Sequence, residues 1–150
     1  MRHLIGDEQD EMQRALRASC RVVHKAERVR DPQWIFDCVV HHYRVQPRRC
    51  PLAGPCLYRL GEDRCFIGAL IGAAHYDPDM EGYPVRALLK VFSMPAWFRD
   101  NIDLIEGLQN VHDTATNWWP GRMDMVLDLF AEERGLMMPK ISTSRRALHG

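Results

Sequence analysis

Apolar positions recur at helical spacing over five stretches of this chain, and the rhythm is interrupted between Cys56 and Gly82. From Asp7 to Arg28, Met12, Leu16, Cys20 and Val23, with Ala26 or Val22, trace a thin apolar stripe between charged faces, which predicts a first amphipathic helix. Asp31 and Pro32 supply a cap and a helix-compatible proline for a second helix, whose Trp34, Ile35, Cys38, Val39, His42 and Tyr43 share one broad side. That side is predicted to form much of the core, with Cys38 and His42 as packing residues. Beyond Gly82 the pattern predicts a helix from about Pro84 to Phe92, a break at residues 93–96, and a helix from about Trp97 to His112. In the latter, Ile102, Ile105, Leu108 and Val111 share a face with Leu104 beside it, while Asp100 and Asp103 sit favourably in the early turns. A last helix, about Arg122 to Arg134, is predicted to bury Val126, Leu129 and Phe130 and to stop at Gly135.

The interruption has a pattern of its own. Residues 45–56 contain three prolines and a glycine and read as a loop. Residues 57–60 and 64–68, separated by Gly61, Glu62 and Asp63, read as two short strands joined by a three-residue turn, so a β-hairpin is expected near residues 56–67. Phe66, Ile67, Leu70 and Ile71 also suit a short buried helix, in which Gly68, Ala69, Gly72, Ala73 and Ala74 let neighbouring backbones approach closely. Asp77, Pro78, Asp79, Gly82 and Pro84 punctuate a predicted surface loop.

These elements amount to a mainly α (α+β) fold, a single domain of about five helices with one short hairpin. The expected globular domain spans residues 1–138, with residues 1–30 as an added amphipathic helix and 139–150 as a flexible tail. A chain of 150 residues is long enough to bury a sizeable core. The hydrophobic share of 46% and charged share of 27% fit a globular protein, and no apolar run reaches the length of a membrane span. The charged N-terminus lacks a signal-peptide core, so a cytoplasmic location without a membrane is expected. A formal net charge of zero argues against direct nucleic-acid binding. The charge is unevenly placed, with ten Lys/Arg against seven Asp/Glu in residues 1–50 and ten against thirteen afterwards.

No motif names a reaction, but several groupings carry chemistry. Cys50, Cys56, Cys65 and His75 offer ligands suited to zinc, with intervals of five, eight and nine residues that are unlike the short pairs of common zinc modules. Cys56 or Cys65 could serve as a nucleophile, with His112 as base and Asp113 or Asp77 orienting it. Against this, cysteines beside Tyr, Phe and Ile more often pack as small hydrophobes. A Cys56 to Cys65 disulfide suits facing strand positions, whereas a reducing compartment and an odd count of five cysteines argue against a disulfide framework. Tyr58, Arg59, Asp77, Glu81, Gln109, His112 and Asp113 would form one polar cluster if the helix ending near His112 packs on the hairpin, with Arg59 and Asp77 or Glu81 as the leading pair. Met80, Tyr83, Trp118 and Trp119 are large side chains in loops and are candidate anchors for a protein partner.

The string of Cys56, Tyr58 and Arg59, then Cys65, Ile67, Gly68, Leu70 and Ile71, then Tyr76, Asp77, Pro78, Met80, Glu81 and Gly82 resembles a family of small uncharacterised proteins encoded by bacteriophages and prophages. Leu108, Gln109, His112 and Asp113 are similar to an L-Q-x-x-H-D element of the same family, and the resemblance covers roughly residues 34–136. It implies a small phage-type accessory protein that acts by binding a host or phage protein complex, as an inhibitor of host defence or of nucleic-acid processing. In that reading there is no cofactor and no catalytic residue. The alternative is a cysteine-dependent enzyme using Cys65, or Cys56, with His112 and Asp113, or a zinc protein.

Overall fold

The computed structural model describes residues 30–141 apart from 53 and 116–120, and over these residues the chain is mainly helical, with six α-helices and one two-stranded hairpin. The predicted helix of residues 7–28, Trp118, Trp119 and most of the predicted tail lie outside the described residues.

Helix α1, Pro32–Val45, begins where the Asp31 carboxylate accepts the Trp34 N–H at 2.8 Å. It buries more than the predicted stripe, because Phe36, Asp37 and Val40 are enclosed along with Ile35, Cys38, Val39, His42 and Tyr43. Strands β1, Arg59–Leu60, and β2, Asp63–Arg64, pair antiparallel with Arg59 opposite Arg64 and Leu60 opposite Asp63. Asp63 is therefore a strand residue. The turn is two residues long, Gly61 and Glu62, with Gly61 at φ +62°, a left-handed conformation that suits a residue without Cβ. Helix α2, Phe66–Leu70, starts at once, with the Cys65 sulfur accepting the Gly68 N–H at 3.2 Å as its cap.

All of α2 is buried, packed against α1 on one side and against α5 on the other. The packing is close enough that a Cβ built on Gly68 would stand 1.9 Å from the Tyr58 carbonyl oxygen. The predicted loop after α2 contains a 3-10 turn, Pro78–Met80, where the Asp77 carboxylate accepts the Asp79 N–H at 2.8 Å. Its Met80 side chain enters the core at 1% exposure.

Helices α3, Val85–Val91, α4, Ala96–Asp100, and α5, Ile102–Thr114, follow. The sequence pattern predicts α4 and α5 as one helix. Asn101 separates them with φ −117° and ψ 27°, its side-chain amide donating to the Trp97 carbonyl at 2.8 Å. Helix α6, Arg122–Arg134, ends at Gly135 with φ +70°, as its sequence predicts, but on a different phase. Met123, Leu127, Phe130 and Ala131 face inward while Leu129 is 56% exposed, because Phe130 stacks on Phe36 of α1 with ring centroids 6.0 Å apart. No helix among the described residues is long and apolar enough to cross a membrane.

Two predictions follow from this packing. Gly68→Ala drives its methyl into the Tyr58 carbonyl, a backbone atom that moves only with the hairpin, so it should cost about 1 to 3 kcal/mol in urea unfolding or more. A loss under 0.5 kcal/mol would show that the approach is not tight. His42 donates its Nε2 hydrogen to the Arg64 carbonyl, 2.9 Å away, and burial pulls its pKa from 6.5 down to about 4. Between those values the unfolded chain binds the proton and the folded chain does not. Stability should therefore fall by about 3 kcal/mol as pH drops from 6.5 toward 4. Urea titrations across that window should show a shallower slope for His42→Gln, and an unchanged slope would clear His42 as the cause.

Candidate functional site

The hairpin is clamped from outside on both strands. On β2, the Gln46 amide at the end of α1 accepts the Arg64 N–H at 2.9 Å and donates to the Arg64 carbonyl at 2.9 Å, the pattern a third strand would supply. On β1, the Glu81 carboxylate accepts the Tyr58 N–H at 2.8 Å, the Arg59 N–H at 3.1 Å and the Tyr76 hydroxyl at 2.7 Å. Glu81 thus meets Arg59 through its backbone. The Arg59 guanidinium instead donates to the Ile71 carbonyl at 2.8 Å and lies 4.4 Å over the Tyr76 ring.

Held in this way, the two ends of the hairpin bring Cys56 and Cys65 to the last turns of α5. Gln109, His112 and Asp113 are spaced i, i+3 and i+4 there, which puts them on one helix face. The Gln109 amide nitrogen reaches the Asp113 carboxylate at 3.2 and 3.4 Å, which fixes the amide orientation, since the reverse would set oxygen against oxygen. The same NH₂ group lies 2.7 Å from the Cys56 sulfur, and the Gln109 oxygen lies 3.5 Å from the Cys65 sulfur. One amide therefore bridges both cysteines.

His112 is fully buried, edge-on to the Phe66 ring at 5.1 Å between centroids. The Cys50 backbone N–H points at its Nε2 from 3.4 Å, so that nitrogen accepts and Nδ1 carries hydrogen. Nδ1 lies 3.0 Å from the Asp113 carboxylate and 3.9 Å from the Cys56 sulfur. A Gln109 hydrogen thus points at the half-buried sulfur of Cys56, with the Nδ1–H of His112, held by Asp113, beside it.

The three thiols respond differently to this setting. A hydrogen bond from Cys65, opposed by burial and aided by His112, brings the Cys56 thiol down from 9.0 to about 6. Burial, reinforced by Cys56, holds the Cys65 thiol well above its ordinary range. Burial likewise pushes the Cys50 thiol up to about 12. For His112, burial pulls the pKa down, but the Asp113 carboxylate and Cys56 more than offset it and the net direction is up. Burial works against the Asp113 carboxylate too, yet His112 and Cys56 leave it below its usual value.

The predicted polar cluster is therefore two clusters. Tyr58, Arg59 and Glu81 hold the hairpin, Asp77 caps the 3-10 turn, and Gln109, His112 and Asp113 surround the cysteines. Cys56, Cys65 and Cys50 are free thiols. The register places Tyr58 across from Cys65, with the Cys65 N–H donating to the Tyr58 carbonyl at 3.3 Å, so Cys56 stands diagonally and not opposite. Cys50, Cys56, Cys65 and His75 do not form one ligand group. His75 is exposed, and among the described residues the group whose ligand atoms lie within 4.8 Å of one another is Cys56, His112 and Asp113. Of the four loop anchors, Met80 is in the core, Tyr83 is 41% exposed and packs on Phe92, and the two tryptophans lie outside the described residues. Gln46 escaped the sequence reading, since a single glutamine before a proline carries no signal of the strand it completes.

Glu81→Gln puts an NH₂ group where the carboxylate meets the N–H groups and hydroxyl of β1 and Tyr76, and leaves one of those donors unsatisfied. It should lower stability by about 1 to 3 kcal/mol while keeping helical circular dichroism. Unchanged urea unfolding would mean that Glu81 does not hold β1. No family model, curated protein or solved structure matches this chain.

Proposed function

We propose that the protein is a cysteine-dependent enzyme in which Cys56 is the thiolate nucleophile. The observation that carries this reading is the setting of the Cys56 sulfur, with the Gln109 amide donor at 2.7 Å and the protonated Nδ1 of His112 3.9 Å away. A thiolate is the reactive form of cysteine, and donors that stabilise its charge keep it populated at neutral pH. Asp113 accepts from both donors and so orients them. Cys50 fixes the imidazole ring from behind through its backbone, while its own thiol stays protonated.

The same residues fit a zinc ion less well. A metal on Nδ1 takes that lone pair and moves the hydrogen to Nε2, where it would face the Cys50 N–H, donor against donor. The Gln109 NH₂ group also points into the space the ion would need.

The test is alkylation of the full reduced chain by iodoacetamide between pH 5 and 9, read by peptide mapping. Cys56 should label with a midpoint near pH 6, and His112→Asn or Gln109→Ala should move that midpoint upward. A midpoint in the ordinary thiol range near 8.5 would remove the nucleophile reading. So would stoichiometric zinc that protects Cys56 and is lost on His112→Asn.

A further inference from the structure

Cys65 has no part in a mechanism that needs only one nucleophile, yet it is placed against that nucleophile. Its sulfur lies 3.5 Å from the oxygen of the amide whose nitrogen contacts Cys56 at 2.7 Å. It is fully buried, while Cys56 is half-buried on the same side of α5 as the partly exposed Asp113 carboxylate. An incoming molecule therefore meets Cys56 first. The Gln109 amide is thus shared by the two sulfurs, its oxygen on Cys65 and its nitrogen on Cys56. The Gly68 N–H, 3.2 Å from the Cys65 sulfur, is a donor in place for the negative charge that Cys65 acquires when it reacts. Cys56 lies in non-repetitive chain ahead of β1, and joining the two sulfurs requires that segment and the Gln109 side chain to shift from the diagonal arrangement.

Resting on the Cys56 nucleophile, we infer that Cys56 and Cys65 form a working dithiol whose substrate is a disulfide, with Cys56 attacking and Cys65 resolving. In the first step the Cys56 thiolate bonds to one sulfur of R–S–S–R′, the S–S bond breaks, and R′S⁻ leaves. In the second, the Cys65 sulfur bonds to that of Cys56, the Cys56–S–S–R bond breaks, and RS⁻ leaves with the proton given up by Cys65. The substrate disulfide gains two electrons and becomes two thiols. The protein loses two and holds a Cys56–Cys65 disulfide, which a small dithiol such as dithiothreitol returns to the starting state.

The probe is 5,5′-dithiobis(2-nitrobenzoate), a disulfide whose released thiolate is coloured, added to the full reduced chain at pH 7 with mass spectrometry of the peptides. Wild type should pass rapidly through a mixed disulfide at Cys56 and finish with a Cys56–Cys65 linked peptide and no probe on either residue. Cys65→Ser, and Cys65→Ala as a second variant, should keep the probe on Cys56 for roughly tenfold longer or more, since the intramolecular attack is gone. A wild-type mixed disulfide that persists, with no linked peptide, overturns the dithiol even where Cys56 reacts fast and the nucleophile reading stands. Slow reaction at Cys56 itself sinks both. The fate of the probe on wild type decides the matter even if neither variant folds.

Discussion

A hairpin of two residue pairs does not hold itself in water, and everything assembled at the end of α5 depends on side chains that satisfy the backbone of this one. Gln46 stands in for a third strand beside β2, and Glu81 does so beside β1. Both are single side chains from neighbouring segments, so the hairpin is tied at once to the end of α1 and to the turn that follows α2. Gly68 completes the arrangement by letting α2 lie directly on the Tyr58 carbonyl. The result is a rigid frame with Cys56 entering it and Cys65 leaving it. The frame sets the positions of the two sulfurs relative to α5, and the Gln109 amide and the Gly68 N–H meet them there.

Burial alone would raise every thiol in this core, because the charged form loses its water. Cys50 and Cys65 follow that rule. Cys56 breaks it because its neighbours Cys65 and His112 favour the thiolate more than burial opposes it, and the Gln109 NH₂ group lies 2.7 Å from its sulfur. The asymmetry between two cysteines nine positions apart thus comes from depth, Cys65 being fully enclosed and Cys56 half-buried, together with the hydrogen bonds each makes. The Cys50 N–H settles that direction at His112, since with Nε2 occupied the ring presents a hydrogen, and not a lone pair, to the sulfur and the carboxylate.

What the sequence made legible were the features fixed by local spacing. The Asp31 cap, the last helix between Arg122 and Gly135, the hairpin around Gly61 and the close approach at Gly68 all follow from short-range rules about caps, turns and residues without Cβ. The sequence pattern ended the helix near His112, and its extension to Thr114 is what puts Asp113 on one face with Gln109 and His112. What stayed hidden was set by tertiary partners. Leu129 reads as core by period, but Phe130 wins the inward position by stacking on Phe36. Met80 reads as a loop anchor, but the 3-10 turn capped by Asp77 aims it inward. Asn101 breaks a continuous apolar pattern through a bond to the Trp97 carbonyl that no residue count foretells.

The candidate site shows the same division in its chemistry. Residue types alone allowed Cys56, Cys65, His112 and Asp113 to be read as zinc ligands or as a nucleophile with its base, because both uses need the same atoms within a few ångströms. Proximity keeps both open, as the grouping of Cys56, His112 and Asp113 shows. The distinction lies in where the hydrogens are, and that depends on two groups outside the set, a backbone N–H from a proline-rich loop and a glutamine amide held by a carboxylate. A metal site requires lone pairs to converge, whereas a stabilised thiolate requires hydrogens to converge. Here a Gln109 hydrogen meets the sulfur, and the imidazole turns an N–H, not a lone pair, to that side. That is why we propose nucleophilic sulfur over a coordinated ion from the same list of side chains.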